Sequence, residues 1–198
     1  MAEKNWTGDS NSIYKTLGAS NHTPEDREKN DFYATDPRAL ELLLELEAFW
    51  NVLEPACGEG HLSKVLIEGG IHGKSIDLID RGFGEQRDFF SVTKWDGDIV
   101  TNPPYKYALQ FVKHALNIIP DRRKVAMFLK VQFLEGKKRG EFFRDTPPAV
   151  VYISSSRILC AKNADFDGFT KNGGSAVAYA WFIWQKGYIG QPVLKWFN

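Results

Sequence analysis

Leu53-Glu54-Pro55-Ala56-Cys57-Gly58-Glu59-Gly60-His61-Leu62 is the stretch on which the fold turns. An apolar run, Phe49 to Glu54, ends in a carboxylate. A loop of small residues follows and opens a helix-like stretch, His61 to Glu68. Small residues are required where backbone approaches a ligand closely, and glycine also tolerates positive φ. In open α/β sheets ligands sit at the carboxyl ends of strands, which is where this loop falls. The full dinucleotide pattern Gly-x-Gly-x-x-Gly is not completed, because its closing glycine is missing.

Outward from this stretch, short apolar runs alternate with helical patterns. Upstream, Asp36 reads as an N-cap, Pro37 as the first helical residue, and Leu40, Leu43, Leu44 and Leu46 as the apolar series of a helix. Downstream, the spacing predicts strands at Ser75 to Ile79, Asp98 to Thr101, Val125 to Val131 and Ala149 to Ile153. A helix is predicted from Tyr107 to Ile119, and a long apolar strand from Ala176 to Trp184. The alternation predicts a Rossmann-like α/β fold: an open, mostly parallel sheet with an antiparallel C-terminal strand and helices on both faces. Residues 1–30, polar and rich in Asn, Ser, Thr, Lys and Glu, read as a flexible arm with Ile13, Tyr14 and Leu17 as docking points. Residues 31–198 read as one domain, with a turn-rich loop from Ala161 to Ser175.

A chain of 198 residues can bury a core without staples, and 43% hydrophobic with 25% charged residues is a globular composition. The two cysteines, Cys57 and Cys160, and four scattered histidines suggest neither a disulfide framework nor a metal site. No run approaches the roughly 20 apolar residues of a membrane span, and the polar start reads as lacking a signal peptide. A cytoplasmic location is the expectation. Basic and acidic residues balance at 25 each, so any nucleic-acid affinity has to come from local clusters. Two are present, at Arg122-Arg123-Lys124 and Lys137-Lys138-Arg139.

Three later segments carry chemistry. Ser75-Ile76-Asp77-Leu78 ends a strand in a carboxylate about 20 residues past the glycines, where an acid accepts both hydroxyls of a ribose; Asp80 competes for that role. Asp88-Phe89-Phe90 sets an acid beside aromatics, able to read an adenine amino group while a ring packs on its face. The third segment is Asp98-Ile99-Val100-Thr101-Asn102-Pro103-Pro104-Tyr105. Its two prolines fix φ and delay the next helix. That leaves the Asn102 side chain and a proline carbonyl as paired acceptors for an amine, with Tyr105 as a flat surface for stacking.

Asn102-Pro103-Pro104-Tyr105 downstream of Glu54-Pro55-Ala56-Cys57-Gly58-Glu59-Gly60 resembles the signature pair of class I S-adenosylmethionine-dependent amino-methyltransferases. Asp31-Phe32-Tyr33-Ala34-Thr35-Asp36-Pro37 resembles the N-terminal cofactor motif of small phage and prophage N6-adenine DNA methyltransferases. So does Val125 to Lys130 with Phe133-Leu134-Glu135-Gly136 behind it. The likeness runs from about Ile13 to Gly187. It implies S-adenosylmethionine as cofactor. Tyr33, Thr35, Glu54, Ala56 and Gly58 would hold its methionine end, Asp77 its ribose, and Asp88 with Phe89 its adenine. Cys57, Gly60, Leu78 and Asn102 complete the implied binding set. Asn102 and the carbonyl of Pro103 would orient the target amine, with Pro104 shaping the turn and Tyr105 stacking on the base. The implied substrate is adenine in DNA, with RNA or a protein glutamine as the alternative and an inactive cofactor-binding module as a third reading. A homodimer or a partner protein is also expected to be open to it. The family's larger members carry a target-recognition domain, for which this chain has no counterpart.

Overall fold

The computed structural model describes residues 33–156, 160–162 and 177–197. In chain order the elements are β1 (Tyr33–Thr35), α1 (Arg38–Leu44), β2 (Val52–Glu54), α2 (His61–Glu68), β3 (His72–Asp77), β4 (Glu85–Gln86) and β5 (Ile99–Thr101). Then come α3 (Ala108–Ile118), β6 (Lys124–Lys130), α4 (Lys137–Asp145), β7 (Val150–Ser154), β8 (Cys160–Lys162), β9 (Tyr179–Gln185) and β10 (Val193–Phe197). Single 3-10 turns lie at Phe89–Ser91, Tyr105–Tyr107 and Val131–Leu134.

Eight strands form one sheet in the order β10-β7-β9-β6-β5-β2-β3-β4, and β1 pairs with β8 in a separate ribbon. β9 alone runs against the rest, wedged between β6 and β7. The Rossmann-like open sheet expected from the sequence is therefore the observed fold. β2, β3, β5 and β6 end at the same edge. The chain leaves β2 for β3 on one side and returns to β5 on the other, so the strand order reverses between β2 and β5, the usual place for a ligand crevice.

The centre of the sheet is buried on both faces, which is why its strands read as unbroken apolar runs. Along β6, Val125, Met127 and Leu129 face a core shared with Phe111, Val112, Ala115 and Ile118 of α3. Ala126 and Phe128 face the other core, with Leu40 and Leu43 of α1 and Leu62, Val65 and Leu66 of α2. The end away from the crevice is pinned by Asp98, whose carboxylate accepts the Trp50 and Lys124 N–H groups at 2.7 Å each. Beside it Glu47 takes the Lys124 ammonium at 2.6 Å and the Tyr152 hydroxyl at 2.7 Å. Burial, then Glu47, pushes the Tyr152 phenol above its ordinary pKa.

Several boundaries shift from the expectation. The first helix starts at Arg38 with Pro37, not Asp36, as its cap residue, although the Asp36 carboxylate accepts the Arg38 N–H at 3.0 Å; it ends at Leu44 and leaves Leu46 exposed in the following turn. β3 begins earlier and stops at Asp77, so Leu78 and Ile79 lie in an exposed loop. The last long strand starts at Tyr179 rather than Ala176. Ala161 and Lys162 belong to β8 rather than to a loop. Residues 1–32 and 163–176, which include the proposed arm and most of the turn-rich loop, lie outside the described residues.

Candidate active site

A cavity of about 670 Å³ opens at the carboxyl edge, between the ends of β2, β3 and β5. Thr35, Glu54, Ala56, Cys57, Asp77, Leu78, Asp88, Phe89, Asn102, Pro103, Pro104 and Tyr105 all line it. These residues are scattered from β1 to the turn after β5, and the strand reversal is what gathers them. Gly58 and Gly60 shape the loop instead. Gly58 donates its N–H to Asp77 Oδ2 at 2.8 Å. Gly60 has φ +81°, and a Cβ there would meet the Phe83 ring at 2.5 Å, so glycine is required twice over. The side chain of Tyr33 lies outside the described residues.

Glu54 ends β2 and is only 2% exposed. It accepts a hydrogen bond from Ser63 on α2, and Ser63 meets Ser75 of β3, which in turn contacts His72 Nε2 at 2.7 Å. Ser63 stands where the dinucleotide pattern has its closing glycine, so the broken pattern is the trace of a hydroxyl that Glu54 uses. Burial raises the Glu54 pKa to about 8; the Ser63 hydrogen bond opposes this and the nearby Asp77 adds to it. The neighbouring Cys57 is buried too, its thiol 3.4 Å from the Phe83 carbonyl. Its pKa is pushed up to about 12, by burial first and then by Glu54 and Asp77, so it is an unreactive wall.

Asp77 ends β3. Its two oxygens accept the N–H groups of Gly58 (2.8 Å) and Ile79 (2.9 Å), which sets the loop on either side of the crevice and leaves each oxygen a second lone pair. Asp80, its competitor, is exposed, caps a turn through Gly82 N–H at 2.9 Å and is absent from the cavity wall. Asp88 caps the 3-10 turn that follows it, accepting from Phe90 N–H at 2.9 Å. Phe89 is core, 2% exposed and packed on Phe111 at 4.9 Å. The more open ring on the wall is Phe90, 44% exposed, which the sequence reading had not selected.

Asn102 follows β5, and its Nδ2 donates to Thr35 Oγ1 at 2.8 Å, tying it to β1. The bond assigns the amide: nitrogen toward β1, oxygen as the other end. The Tyr107 N–H donates to the Pro104 carbonyl at 2.9 Å, so of the two proline carbonyls that of Pro103 is the candidate acceptor. Lys130, at the end of β6, holds its ammonium 4.8 Å over the Tyr105 ring. His61, Arg81, Lys106 and Tyr107 also line the wall, and none of them is among the site residues the sequence singles out. Burial lowers the pKa of His61, with Glu59 and Lys64 pulling in opposite directions. Among the described residues no His, Cys, Asp and Glu cluster could hold a metal ion, and no helix is long and apolar enough to cross a membrane.

No family model matches the chain, and no curated protein matches it in sequence. Solved structures do match in fold. The methyltransferase subunit of a type I restriction-modification system from Streptococcus thermophilus aligns at a TM-score of 0.57 and 13% identity over 81% of this chain. The type IIG restriction endonuclease BpuSI gives 0.53 and 12% over 82%. A Listeria monocytogenes protein assigned to the class I S-adenosylmethionine-dependent methyltransferases gives 0.50 and 11% over 80%. This chain spans 46%, 26% and 62% of those proteins respectively. At such identities the likeness is one of fold, and the fold is the Rossmann-like one that these methyltransferases share.

Proposed function

We propose that the chain is an S-adenosylmethionine-dependent methyltransferase acting on the N6 amino group of adenine in DNA. One observation carries the reading: the Asn102-Pro103-Pro104-Tyr105 turn and the Glu54, Asp77 and Asp88 acids line one cavity. That volume lies within the usual range for small-molecule and cofactor sites. The donor set fits the cofactor. A buried carboxylate whose near partner is a hydroxyl calls for a cation, which the cofactor's ammonium and sulfonium offer. When bound, the cofactor supplies a methyl group on an electrophilic sulfonium.

The rest is the work of this chain's residues. Asp77 holds the ribose end while keeping its loop in place. Asn102, pinned by Thr35, turns its carbonyl toward the target amine, and the Pro103 carbonyl accepts a hydrogen bond from the amine's second N–H. Accepting from both N–H groups pulls the nitrogen out of conjugation with its ring and directs its lone pair, a gain of positioning and electrostatics. Tyr105, steadied by Lys130, offers the surface for the extruded base. DNA is favoured over protein by the basic groups at this edge. Lys106 lines the cavity, and Lys137 and Lys138 are exposed at the start of α4, which follows β6. The S. thermophilus neighbour, a methyltransferase of a restriction-modification system, accords with a DNA substrate.

The test is expression in a host free of DNA methylation, with sequencing for modified bases and labelled-cofactor assays on DNA, RNA and protein fractions. N6-methyladenine in DNA supports the reading. Label confined to RNA or protein moves it to those amines, and cofactor binding without transfer to any fraction makes the chain an inactive binding module.

A further inference from the structure

Helix α3 begins one 3-10 turn after the Asn102-Pro103-Pro104-Tyr105 segment, and its inward face does not stop at the core. Phe111 lies 4.9 Å from Phe89 and 5.3 Å from Phe90, ring to ring. One helical turn on, the His114 ring stands edge-on to Phe89 at 4.8 Å and tilted against Phe90 at 5.3 Å. His114 Nε2 lies 3.1 Å from the Phe89 carbonyl and 3.0 Å from the Val92 carbonyl. Carbonyls only accept, so Nε2 carries the proton and is shared between the two ends of the Phe89–Ser91 turn. At the far end of the helix the Ile118 carbonyl accepts Trp95 N–H at 2.9 Å, fixing the segment beyond that turn as well.

We propose that His114 is a positioning residue: through its shared N–H it holds the Asp88-Phe89-Phe90 turn, and with it the wall of the cavity that receives the cofactor's adenine. This rests on the function proposed above. Asp88 caps the turn from within, and Ser91 and Val92 N–H groups close it on Asp88 and Phe89 at 3.0 Å. Those bonds fix the turn's shape but not its place against the sheet. Its leading end is tied to β3 by the Arg87 N–H on the Asp77 carbonyl at 2.7 Å, and its trailing side is held by α3, which follows the target-amine segment. The two halves of the site are thereby joined by one helix, whose length fixes their separation.

The experiment compares His114→Ala with His114→Gln, whose amide nitrogen restores an N–H donor. Calorimetry with S-adenosylhomocysteine should show the alanine variant binding on the order of tenfold more weakly, since the Val92 carbonyl loses the His114 donor and the Phe89 carbonyl keeps only the Val92 N–H. The glutamine variant should recover most of that loss. The KM for cofactor should rise with kcat at saturation unchanged, and amide exchange at Ser91 and Val92 should accelerate in the alanine variant alone. Unchanged affinity and exchange in His114→Ala, or a glutamine variant no better than alanine, would overturn the inference. A parent protein that does not bind S-adenosylhomocysteine refutes the proposed function instead, and the exchange measurement still decides whether His114 holds the turn.

Discussion

Glu54 makes cofactor affinity depend on pH in a way that can be worked out in advance. With its pKa raised from 4.5 to about 8 by burial, roughly ten molecules in eleven hold it protonated at pH 7 in the ligand-free protein. A ligand cation beside it favours the ionised form, so binding at pH 7 should release about 0.9 proton. Titrations in buffers of different ionisation enthalpy, phosphate and Tris, measure that number as the slope of apparent enthalpy. Affinity for S-adenosylmethionine should climb about tenfold from pH 6 to pH 7 and level off above roughly pH 9, where the carboxyl is ionised with or without ligand. The stability of the ligand-free protein moves the other way. A raised pKa means the contribution is complete below 4.5 and lost as pH passes through 8, at most ~5 kcal/mol at ~1.36 kcal/mol per pH unit. Glu54→Gln should therefore raise Tm at pH 8, abolish the proton release and weaken binding. Equal enthalpies in the two buffers, with affinity flat from pH 6 to pH 8, would refute the assignment of Glu54 as the cation's partner.

Asp77→Ala should weaken cofactor binding at least tenfold by calorimetry, because a charge-assisted ribose contact and the set of the Gly58 and Ile79 amides are lost together; unchanged affinity removes Asp77 from the ribose. Asn102→Ala should reduce methyl transfer on the order of a hundredfold or more while cofactor affinity stays near the parent's, and near-parental turnover would end the amine-orienting mechanism. Neutralising Lys137, Lys138 and Arg139 should raise the KM for DNA and flatten its dependence on salt without touching cofactor binding; a variant with parental KM points to a partner protein or another substrate.

The parts of the fold legible in the sequence were those with a strong period or a hard stop. α2 was bounded correctly from His61 to Glu68 because glycines precede it and its apolar face repeats cleanly. β6 and β9 were recognisable from unbroken apolar runs. α4 was not, because none of its residues is buried and its sequence, KKRGEFFRD, has little hydrophobic pattern. β1, β4 and β8 are two or three residues long, too short for any alternation to register, and β10 exposes four of its five residues. For the cavity, the strand-end acids and the Asn-Pro-Pro-Tyr turn could be found because their spacing follows chain order. Ser63, Phe111 and His114 could not, since they act through packing between helix and loop, which sequence distance does not encode. The spacing of Phe111 and His114, three apart on one helix face, was the trace they left.

The placing of β9 bears on how the chain comes into being. Residues 179–185 are made late, yet they fill a slot between β6 and β7 and bury Trp181, Phe182 and Trp184 there. Until they emerge, a growing chain carries two open strand edges and two half-built cores, and nothing synthesised earlier can close either. Native structure must then arrive late and together, by pairing between segments distant in sequence, the slow kind of step in folding. A nascent or truncated chain ending before residue 179 offers sticky edges to its neighbours and to chaperones. Trp181, whose Nε1 donates to the Ala39 carbonyl at 2.8 Å, would be an intrinsic fluorescent reporter of the moment that slot is filled.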